Sequence, residues 1–236
     1  MKKLFDKLYK DSASSFYKIV KDNLINEKKM FIVTANPETF MKSETDLELK
    51  KLLDDDNTTL VPDGIGIVKA ARSINYSVCE RITGIDIAVK LLEYANEFKK
   101  SLYLFGAKKE VIEGMKDVLA NKYPGIILIG ASDGYVSNKD HVFKEIAMLK
   151  PDIVMVAMGI PVQEKLIYKH LDKFKKGIFI GVGGSFDVIS GSKKRAPKIF
   201  IKLNLEWLYR IICEPSRLKR FYDSNIKFLF KVRKYK

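Results

Sequence analysis

The sequence predicts an α/β fold: a Rossmann-like, mostly parallel sheet with helices on both faces, followed by a basic helical appendage. Short β-rich runs alternate with segments of helix length, most of these runs are continuously apolar, and only helical patterns follow Gly191. Alternating strands and helices are typical of doubly wound sheets, and continuous apolar runs are typical of strands covered on both faces. With 236 residues, of which 47% are hydrophobic, the chain is long enough to bury a sizeable core.

The strands and helices are predicted in alternation from the first apolar run onward. Strands are expected at residues 31–34, 59–61, 102–105, 126–129, 153–157 and 178–182. Helices are expected between and after them, at about residues 38–53, 65–73, 84–99, 108–121, 139–149 and 162–172. The repeated β–α order favours a parallel sheet.

Two further helices are predicted after the last strand. Residues 197–213 begin with a proline, which suits a first helical turn, and carry apolar residues at helical spacing. Pro215 begins the second helix, in which five apolar side chains are expected to share one face: Leu218, Phe221, Tyr222, Leu229 and Val232. We therefore divide the chain into a Rossmann-like body, residues 1–192, and a basic appendage, residues 193–236.

The formal charge of the chain is +14 and is concentrated in the appendage. Residues 193–236 contain 14 Lys and Arg against 3 Asp and Glu, a net charge of +11, whereas the body carries only +3. Such a segment indicates an anionic partner, which is a nucleic acid, a membrane surface or a phosphorylated metabolite.

Cysteine and hydropathy patterns predict a cytoplasmic protein. Only two cysteines are present and they form no CxxC, so no disulfide framework is expected. The first residues lack the apolar segment of a signal peptide. The longest apolar run, residues 153–162, is about half of the ~20 residues that a membrane-spanning helix needs.

No metal site is predicted. His141 and His170 are far apart in the sequence and have no cysteine companions, which argues against zinc. Asp54, Asp55 and Asp56 contain a DxD pattern, but the stretch is typical of a solvated loop, and a hard cation needs converging oxygen ligands.

Glycines and polar side chains follow most of the predicted strands. Ligands of open α/β sheets bind at the carboxyl ends of the strands, so these residues are expected to meet at one edge of the sheet. They occupy residues 34–39, 62–66, 106–108, 159–164 and 183–187.

Glycines at strand-to-helix turns allow backbone N–H groups to approach a phosphate. The best candidates are Gly106 and the turn Gly183, Gly184 and Ser185, although glycine equally permits a tight turn without a ligand. A dinucleotide fingerprint beginning at residue 64 fails because Lys69 replaces its third glycine, and no Walker motif occurs. These absences disfavour a nicotinamide dehydrogenase and a P-loop NTPase.

Two charged residues at this edge suit catalysis. Asp63 is placed to accept a proton from a substrate hydroxyl, or alternatively to cap the helix that begins at residue 64. Arg81 is placed to neutralise a diphosphate leaving group, or alternatively to pair with Glu80 or Asp86 at the surface.

The motifs together resemble the WecG/TagA/CpsF family of bacterial glycosyltransferases, in order and at family spacing from about residue 30 to the end. The matching stretches are residues 34–38 (TANPE), 62–64 (PDG), 80–86 (ERITGID), 159–164 (GIPVQE), 181–187 (GVGGSFD), 195–197 (RAP), 206–210 (EWLYR) and 214–215 (EP).

This resemblance implies inverting transfer of a sugar from a UDP-sugar to an undecaprenyl-diphosphate-linked acceptor. In the branch that the chain resembles most, N-acetylmannosamine (ManNAc) is moved onto lipid-linked N-acetylglucosamine (GlcNAc), in the linkage unit of teichoic acid. Relatives that build capsule or exopolysaccharide use N-acetylmannosaminuronic acid or hexoses, so the donor stays open. No metal or other cofactor is expected.

The resemblance also implies roles for residues of this chain. Asp63 is the expected general base and Arg81 the cation that stabilises the departing UDP. The sugar contacts are expected from Thr34, Asn36 and Gln163. The nucleotide contacts are expected from Gly106, Gly183, Gly184, Ser185 and Asp187.

The appendage is expected to meet the membrane that carries the acceptor, at the inner face of the cell membrane. Arg210, Arg217 and Arg220 are expected to contact the lipid diphosphate, and an amphipathic basic helix would bury its apolar face at the interface. Alternatively, these helices pack on the core or form a homo-oligomer interface.

Two other classes of function remain as alternatives. A nucleic-acid-binding module would use the basic appendage, but no RRM, KH or helix-turn-helix signature occurs and the strand-end motifs would be unused. No nucleic-acid partner is therefore expected. A nucleotide-sugar sensor without turnover would use the same strand-end site.

Overall fold

A computed structural model describes residues 1–235 and contains one six-stranded, all-parallel sheet in the order β2-β1-β6-β5-β3-β4. The strands are β1 (Lys29–Ala35), β2 (Thr58–Pro62), β3 (Ser101–Gly106), β4 (Ile127–Ser132), β5 (Ile153–Ala157) and β6 (Gly177–Gly181). All six predicted strands are confirmed, and only their ends differ.

Helices surround the sheet. They are α1 (Lys2–Lys7), α2 (Ala13–Ile25), α3 (Pro37–Ser43), α4 (Leu47–Asp54), α5 (Ile65–Ser73), α6 (Gly84–Glu97), α7 (Lys109–Lys122), α8 (Lys139–Leu149), α9 (Val162–His170), α10 (Ser185–Ile189), α11 (Lys198–Lys202), α12 (Glu206–Cys213), α13 (Arg217–Phe221) and α14 (Lys227–Val232). A π-helical turn, Tyr222–Ile226, joins α13 to α14, and short 3₁₀ turns follow α9 and α14.

The core has two layers, one on each face of the sheet. Successive side chains of a strand point to opposite faces, so within β1 Phe31 belongs to one layer and Ile32 to the other. The first layer includes side chains of α1, α3, α4, α5, α8, α9 and α14, and the second includes those of α2, α6, α7 and α10. Both faces are covered, which accounts for the continuous apolar runs of the inner strands.

The helix predictions differ from the structure in several places, and α10 was not predicted. The helix expected at residues 38–53 is two helices, and the side chain of Asp46 caps the second by accepting from the Leu49 amide. The helix expected at 197–213 is interrupted at Asn204, whose φ is 58°. The two helices that precede β1 were not predicted at all.

The apolar face predicted for the last helix is wrong at Val232. The π-helical turn Tyr222–Ile226 holds an extra residue, which rotates the following helix by about 100° relative to α13. Val232 is therefore buried in the core, together with Phe228, while Leu218 stays 59% exposed. The end of the chain thus packs on the body, and its division from residues 1–192 as an appendage stays a prediction.

Within residues 1–235, no helix combines the length and the apolar character needed to cross a bilayer.

Candidate active site

A cleft of about 990 Å³ lies at the carboxyl ends of the strands, where the sequence places the site. The loops after all six strands contribute to its lining, and α12 and α13 contribute as well. The predicted residues among its lining are Thr34, Asn36, Asp63, Arg81, Gln163, Gly183, Gly184, Ser185, Asp187, Arg210, Arg217 and Arg220. The parallel strands bring the strand-end residues together because their carboxyl ends share one edge of the sheet. Arg81 comes from the loop before α6, and Arg210, Arg217 and Arg220 come from α12 and α13.

Asp63 directly follows β2 and is held by neighbours on both sides. Its backbone N–H donates to the Ala35 carbonyl oxygen at 2.8 Å, and its Oδ2 accepts from the Gly84 amide at 3.3 Å. Gly84 is the first residue of α6, so the carboxylate faces the amino end of that helix. The alternative role for Asp63, capping α5, is wrong because α5 has no side-chain cap.

Burial raises the pKa of Asp63. The Arg81 guanidinium, the Gly84 amide and the more distant charge of Arg210 oppose this rise, and the negative charge of Glu206 adds to it. The side chain keeps 24% of its surface exposed, at the cleft. A carboxylate with a raised pKa is a stronger proton acceptor than one in water, as a general base requires.

Arg81 lies between two carboxylates. Its Nη2 donates to Oε2 of Glu206 at 2.5 Å, and its Nε lies 3.7 Å from Oδ1 of Asp63. This Nε is buried and has no hydrogen-bond partner within residues 1–235. The alternative of a surface pair with Glu80 or Asp86 is wrong, since the guanidinium turns into the cleft.

Thr34 and Asn36 line the cleft where β1 passes into α3. The Asn36 side chain caps α3, with Oδ1 accepting from the Thr39 amide at 3.0 Å. The Thr34 hydroxyl and the Asn36 Nδ2 make no hydrogen bond to any other part of the described chain. These groups are therefore available for a sugar, and their predicted contact with it stays a prediction.

Gln163 is 3% exposed, and its amide group joins two loops, those after β5 and β6. Its Oε1 accepts from the backbone N–H groups of Met158 (3.2 Å), Gly159 (3.0 Å) and Gly183 (3.1 Å). Its Nε2 donates to Oε1 of Glu164 at 2.7 Å. The carbonyl oxygen of the side chain is thus fully used within the protein, whereas one N–H of Nε2 has no partner among the described residues. Contact of Gln163 with substrate stays a prediction.

Glu164 is a buried acid that sequence reasoning did not single out. It is 1% exposed, and its Oε2 has no hydrogen-bond partner among the described residues. Burial raises its pKa to about 7, against the hydrogen bond from Gln163. The sequence could have indicated Glu164 as a site residue, because it stands next to Gln163 in the motif GIPVQE.

Two backbone N–H groups of the glycine turn after β6 already donate hydrogen bonds within the protein. The Gly183 amide donates to Gln163, and the Ser185 amide donates to the Val182 carbonyl oxygen at 3.0 Å. Gly184, Ser185 and Asp187 still line the cleft.

A glycine is required at position 106 for a structural reason, independent of any ligand. Its φ is +114°, and a Cβ atom there would collide with the backbone of Ala157. The predicted nucleotide contacts of Gly106 and of the turn after β6 stay predictions.

The predicted lipid-binding arginines differ in their pairing. Arg220 donates to Glu38 through Nε at 2.9 Å and pairs with it through Nη2 at 2.8 Å, and Arg217 donates to Glu214 at 2.6 Å. Burial favours the neutral form of Glu38, but hydrogen bonds from Arg220 and Lys42 hold its pKa below the usual range. Arg210 forms no ion pair within residues 1–235.

Four lysines line the cleft, and none was given a role from the sequence. Lys193 pairs with Glu214 at 2.7 Å, and the other three differ from it. They are Lys108, Lys139 and Lys194, and none of them forms an ion pair with the described part of the chain. Together with Arg210 they supply cationic groups that are free to meet an anion. Only Lys108 had a signal, because it stands in the turn after β3.

The acidic run before β2 lies away from the cleft. Strands run parallel, so Asp54, Asp55 and Asp56 stand at the opposite edge, where Asp55 Oδ2 accepts from the Tyr168 hydroxyl at 2.6 Å. Residues 1–235 contain no group of three or more His, Cys, Asp or Glu that could hold a metal ion. That the reaction needs no metal stays a prediction.

Comparison with known proteins gives the family. The profile of the Glycosyl transferase WecG/TagA/CpsF family matches residues 5–236. An N-acetylglucosaminyldiphosphoundecaprenol N-acetyl-beta-D-mannosaminyltransferase of Bacillus subtilis (strain 168) is 44% identical over 210 residues, 89% of this chain and 82% of the relative. Proteins of the same name are 41% identical in Bacillus spizizenii (84% of this chain, 76% of the relative) and 38% identical in Staphylococcus aureus strain NCTC 8325 (88% and 81%). The chain is a member of the WecG/TagA/CpsF family of glycosyltransferases.

Proposed function

We propose that the protein transfers N-acetylmannosamine from UDP-ManNAc to undecaprenyl-diphosphate-linked GlcNAc, in the linkage unit of teichoic acid. The name shared by the three relatives describes this acceptor and this sugar. The observation that carries the proposal is Asp63, a carboxylate of raised pKa at a large cleft whose unpaired cations suit a diphosphate. Transfer of N-acetylmannosaminuronic acid or a hexose is the second candidate.

In the proposed reaction Asp63 accepts the proton of the acceptor hydroxyl. The hydroxyl oxygen then attacks the anomeric carbon of the donor, and the bond from that carbon to the UDP oxygen breaks with its electron pair leaving on UDP. A single displacement of this kind inverts the anomeric centre. The relatives' name specifies a β-mannosaminyl product, which is what inversion of an α-linked donor yields.

The charge that develops on UDP needs cations in a site that is partly closed to water. Arg81 is adjacent to Asp63, but its Nη2 is held by Glu206, so only part of its charge faces the cleft. Arg210 and Lys108 are unpaired and line the same cleft. In our proposal these side chains together do the work that a divalent metal does in many other transferases.

We assign the remaining site residues to the sugars or to the nucleotide by their position in the cleft. Thr34 and Asn36, at the end of β1 near Asp63, would contact the sugars. Asp187 and the loops at Gly106 and Gly183–Ser185, beyond Gln163, would contact the nucleotide. Gln163 would act mainly by holding these loops in register.

The last helices would bring the site to the membrane. Eight of the sixteen large apolar side chains that are exposed within residues 1–235 lie beyond Pro197. Lys and Arg near an anionic bilayer contribute about 1 kcal/mol each. A peripheral position at the inner face of the cell membrane would place Arg217 and Arg220 near the lipid diphosphate.

The test is release of UDP by the full chain with a short-chain lipid-diphosphate GlcNAc acceptor and a panel of UDP-sugars. UDP-ManNAc should give the highest turnover, and Asp63→Asn should reduce it about 10²- to 10⁴-fold, the contribution of a general base. Asp172→Asn, an exposed carboxylate before β6 at the opposite edge of the sheet, is the matched control and should retain turnover.

The other outcomes separate the alternatives. Higher turnover with another UDP-sugar would replace the donor and keep the reaction class. Tight UDP binding without turnover would indicate a sensor, and RNA binding stronger than UDP binding would favour the nucleic-acid class. Near-normal turnover of Asp63→Asn would remove Asp63 from the role of base.

A further inference from the structure

Glu206 is the one acid of the EWLYR motif, and the proposed reaction leaves it without a role. It is the first residue of α12 and is 4% exposed, although it comes from the most basic part of the chain. Arg210 follows it four residues later and therefore lies on the same side of α12. This helix thus carries one buried acid, Glu206, and one base, Arg210, which lines the cleft and forms no ion pair within residues 1–235.

The contacts of Glu206 control where the Arg81 guanidinium points. Glu206 Oε2 accepts from Nη2 at 2.5 Å, so this terminal nitrogen is held by Glu206 and not by Asp63. Asp63 faces only Nε, at 3.7 Å, which is too long for a hydrogen bond. Were Arg81 released, its fork of N–H groups would be free to bind Asp63 in the bidentate geometry that arginine and carboxylate prefer.

A bidentate pair would harm a general base. It would occupy one lone pair on each carboxylate oxygen, and it would stabilise the ionised carboxylate and so make it a weaker base. A base must be free on the substrate side and must gain by taking up the proton. The observed arrangement avoids this outcome because a second carboxylate holds the guanidinium.

We propose that Glu206 is a positioning residue that holds Arg81 by its Nη2 and thereby keeps Asp63 free to accept the substrate proton. The part that concerns Asp63 as a base rests on the proposed function, whereas the effect on Arg81 and on the titration of Asp63 does not. Because Glu206 belongs to α12, the proton-accepting state of the site depends on docking of the C-terminal helices.

The charged and polar groups that face Asp63 determine whether a substitution raises or lowers its pKa. They are Arg81 from the loop before α6, the amide of Gly84 from α6, and Glu206 and Arg210 from α12. The negative charge of Glu206 disfavours the ionised form of Asp63, and the positive charge of Arg210 favours it. Removing the charge of Glu206 should therefore lower the pKa of Asp63, and removing the charge of Arg210 should raise it.

The first experiment needs no substrate. The Asp63 carboxyl is titrated by ¹³C NMR in the full chain, and the Arg81 Nε–H signal is followed by ¹⁵N NMR, in the parent and in Glu206→Gln, Glu206→Ala and Arg210→Gln. Glu206→Gln and Glu206→Ala should titrate at lower pH than the parent, and Arg210→Gln at higher pH. The Arg81 signal should change most in Glu206→Ala, since glutamine retains an oxygen that accepts from Nη2.

A matched control comes from the same segment. Asp223→Asn removes an exposed ion pair with Lys227 that does not touch the cleft, and it should leave the Asp63 titration unchanged. Fluorescence of Trp207, the only tryptophan, reports docking of α12 on α13, because its ring stacks on that of Phe221 with centroids 4.5 Å apart. If Glu206→Ala fails this docking check, Glu206→Gln and Arg210→Gln still carry the test.

The second experiment measures turnover against pH. Glu206→Gln should lose about 10-fold in kcat and Glu206→Ala about 100-fold. The acid limb of the pH–rate profile should move to lower pH in both variants, and KM for the donor should change little. An unchanged Asp63 titration in docked Glu206→Gln and Glu206→Ala would overturn the positioning role, even in an active enzyme. A shifted titration in a protein that turns over no UDP-sugar would overturn the proposed function and leave the effect on Arg81 standing.

Discussion

The ring of Phe228 packs edge-on against the ring of Phe40, with centroids 5.6 Å apart. Phe228 lies on α14, close to the end of the chain, and Phe40 lies on α3, the helix that Asn36 caps at the candidate site. Both side chains are fully buried. The last helix therefore packs in the same core as α3, the helix that begins at the cleft. Its docking is thus coupled to the geometry of α3.

Phe228→Ala should destabilise the protein by about 3–5 kcal/mol, the usual cost of removing a buried phenylalanine ring. Phe230→Ala, two residues away and 61% exposed, should change stability by less than about 0.5 kcal/mol. Urea denaturation followed by circular dichroism measures both. Equal effects of the two substitutions would mean that α14 does not belong to the cooperative core.

Gln163→Ala should reduce turnover more than its loss of stability explains. It leaves three backbone N–H groups without their acceptor, at a cost of about 1–3 kcal/mol for a buried unsatisfied group, and it releases the loops after β5 and β6 from each other. Ser12→Ala is the control, because it removes the cap of α2 for about 1 kcal/mol and lines no part of the cleft. If both variants keep turnover in proportion to their stability, Gln163 has no part in the site.

Glu164 should make the protein less stable as the pH rises. Its pKa is about 7 in the folded protein against 4.5 for the free side chain, because burial favours the neutral form over the opposing effects of Gln163 and Lys42. Its stabilising contribution is thus present below pH 4.5 and is lost as the pH rises through 7. At about 1.4 kcal/mol per pH unit, the loss is about 3 kcal/mol.

Glu164→Gln stays neutral at every pH and isolates this contribution. Between pH 4.5 and 8, urea denaturation should show the parent losing stability relative to Glu164→Gln. Other titrating groups, such as His170, are common to both proteins and cancel in the difference. A difference that does not vary with pH would mean that Glu164 titrates normally.

Membrane binding should depend on the exposed apolar side chains of the last helices. Ile212 and Leu218 are 62% and 59% exposed, and Ile212→Asn with Leu218→Asn should weaken binding to anionic vesicles at least about 30-fold, since each of the two buried side chains contributes about 1 kcal/mol or more. The control is Leu47→Asn with Met148→Asn, at positions 79% and 73% exposed on the body. Equal binding of the two variants in a vesicle sedimentation assay would place the membrane contact elsewhere.

The parallel sheet was predictable because its strands are buried on both faces. The run Ile153–Ala157 is completely buried in the structure and continuously apolar in the sequence. Helix α2 was missed although Phe16, Val20 and Leu24 recur at four-residue spacing, because short apolar repeats among many polar residues give a weak signal. The face of Val232 was unpredictable because a π-helical turn leaves no mark in local composition.

The sequence by itself determined the sheet, its active edge and the charge asymmetry, since strand order along the chain and the residues after each strand are local properties. It placed Asp63 and Arg81 at the same edge of the sheet. Only the tertiary structure decided that Arg81 lies between Asp63 and Glu206, residues 143 positions apart, because docking of α12 joins them. The same docking pairs part of the basic segment with acids of the body, as between Arg220 and Glu38, so the net charge of +11 is not all free for a partner.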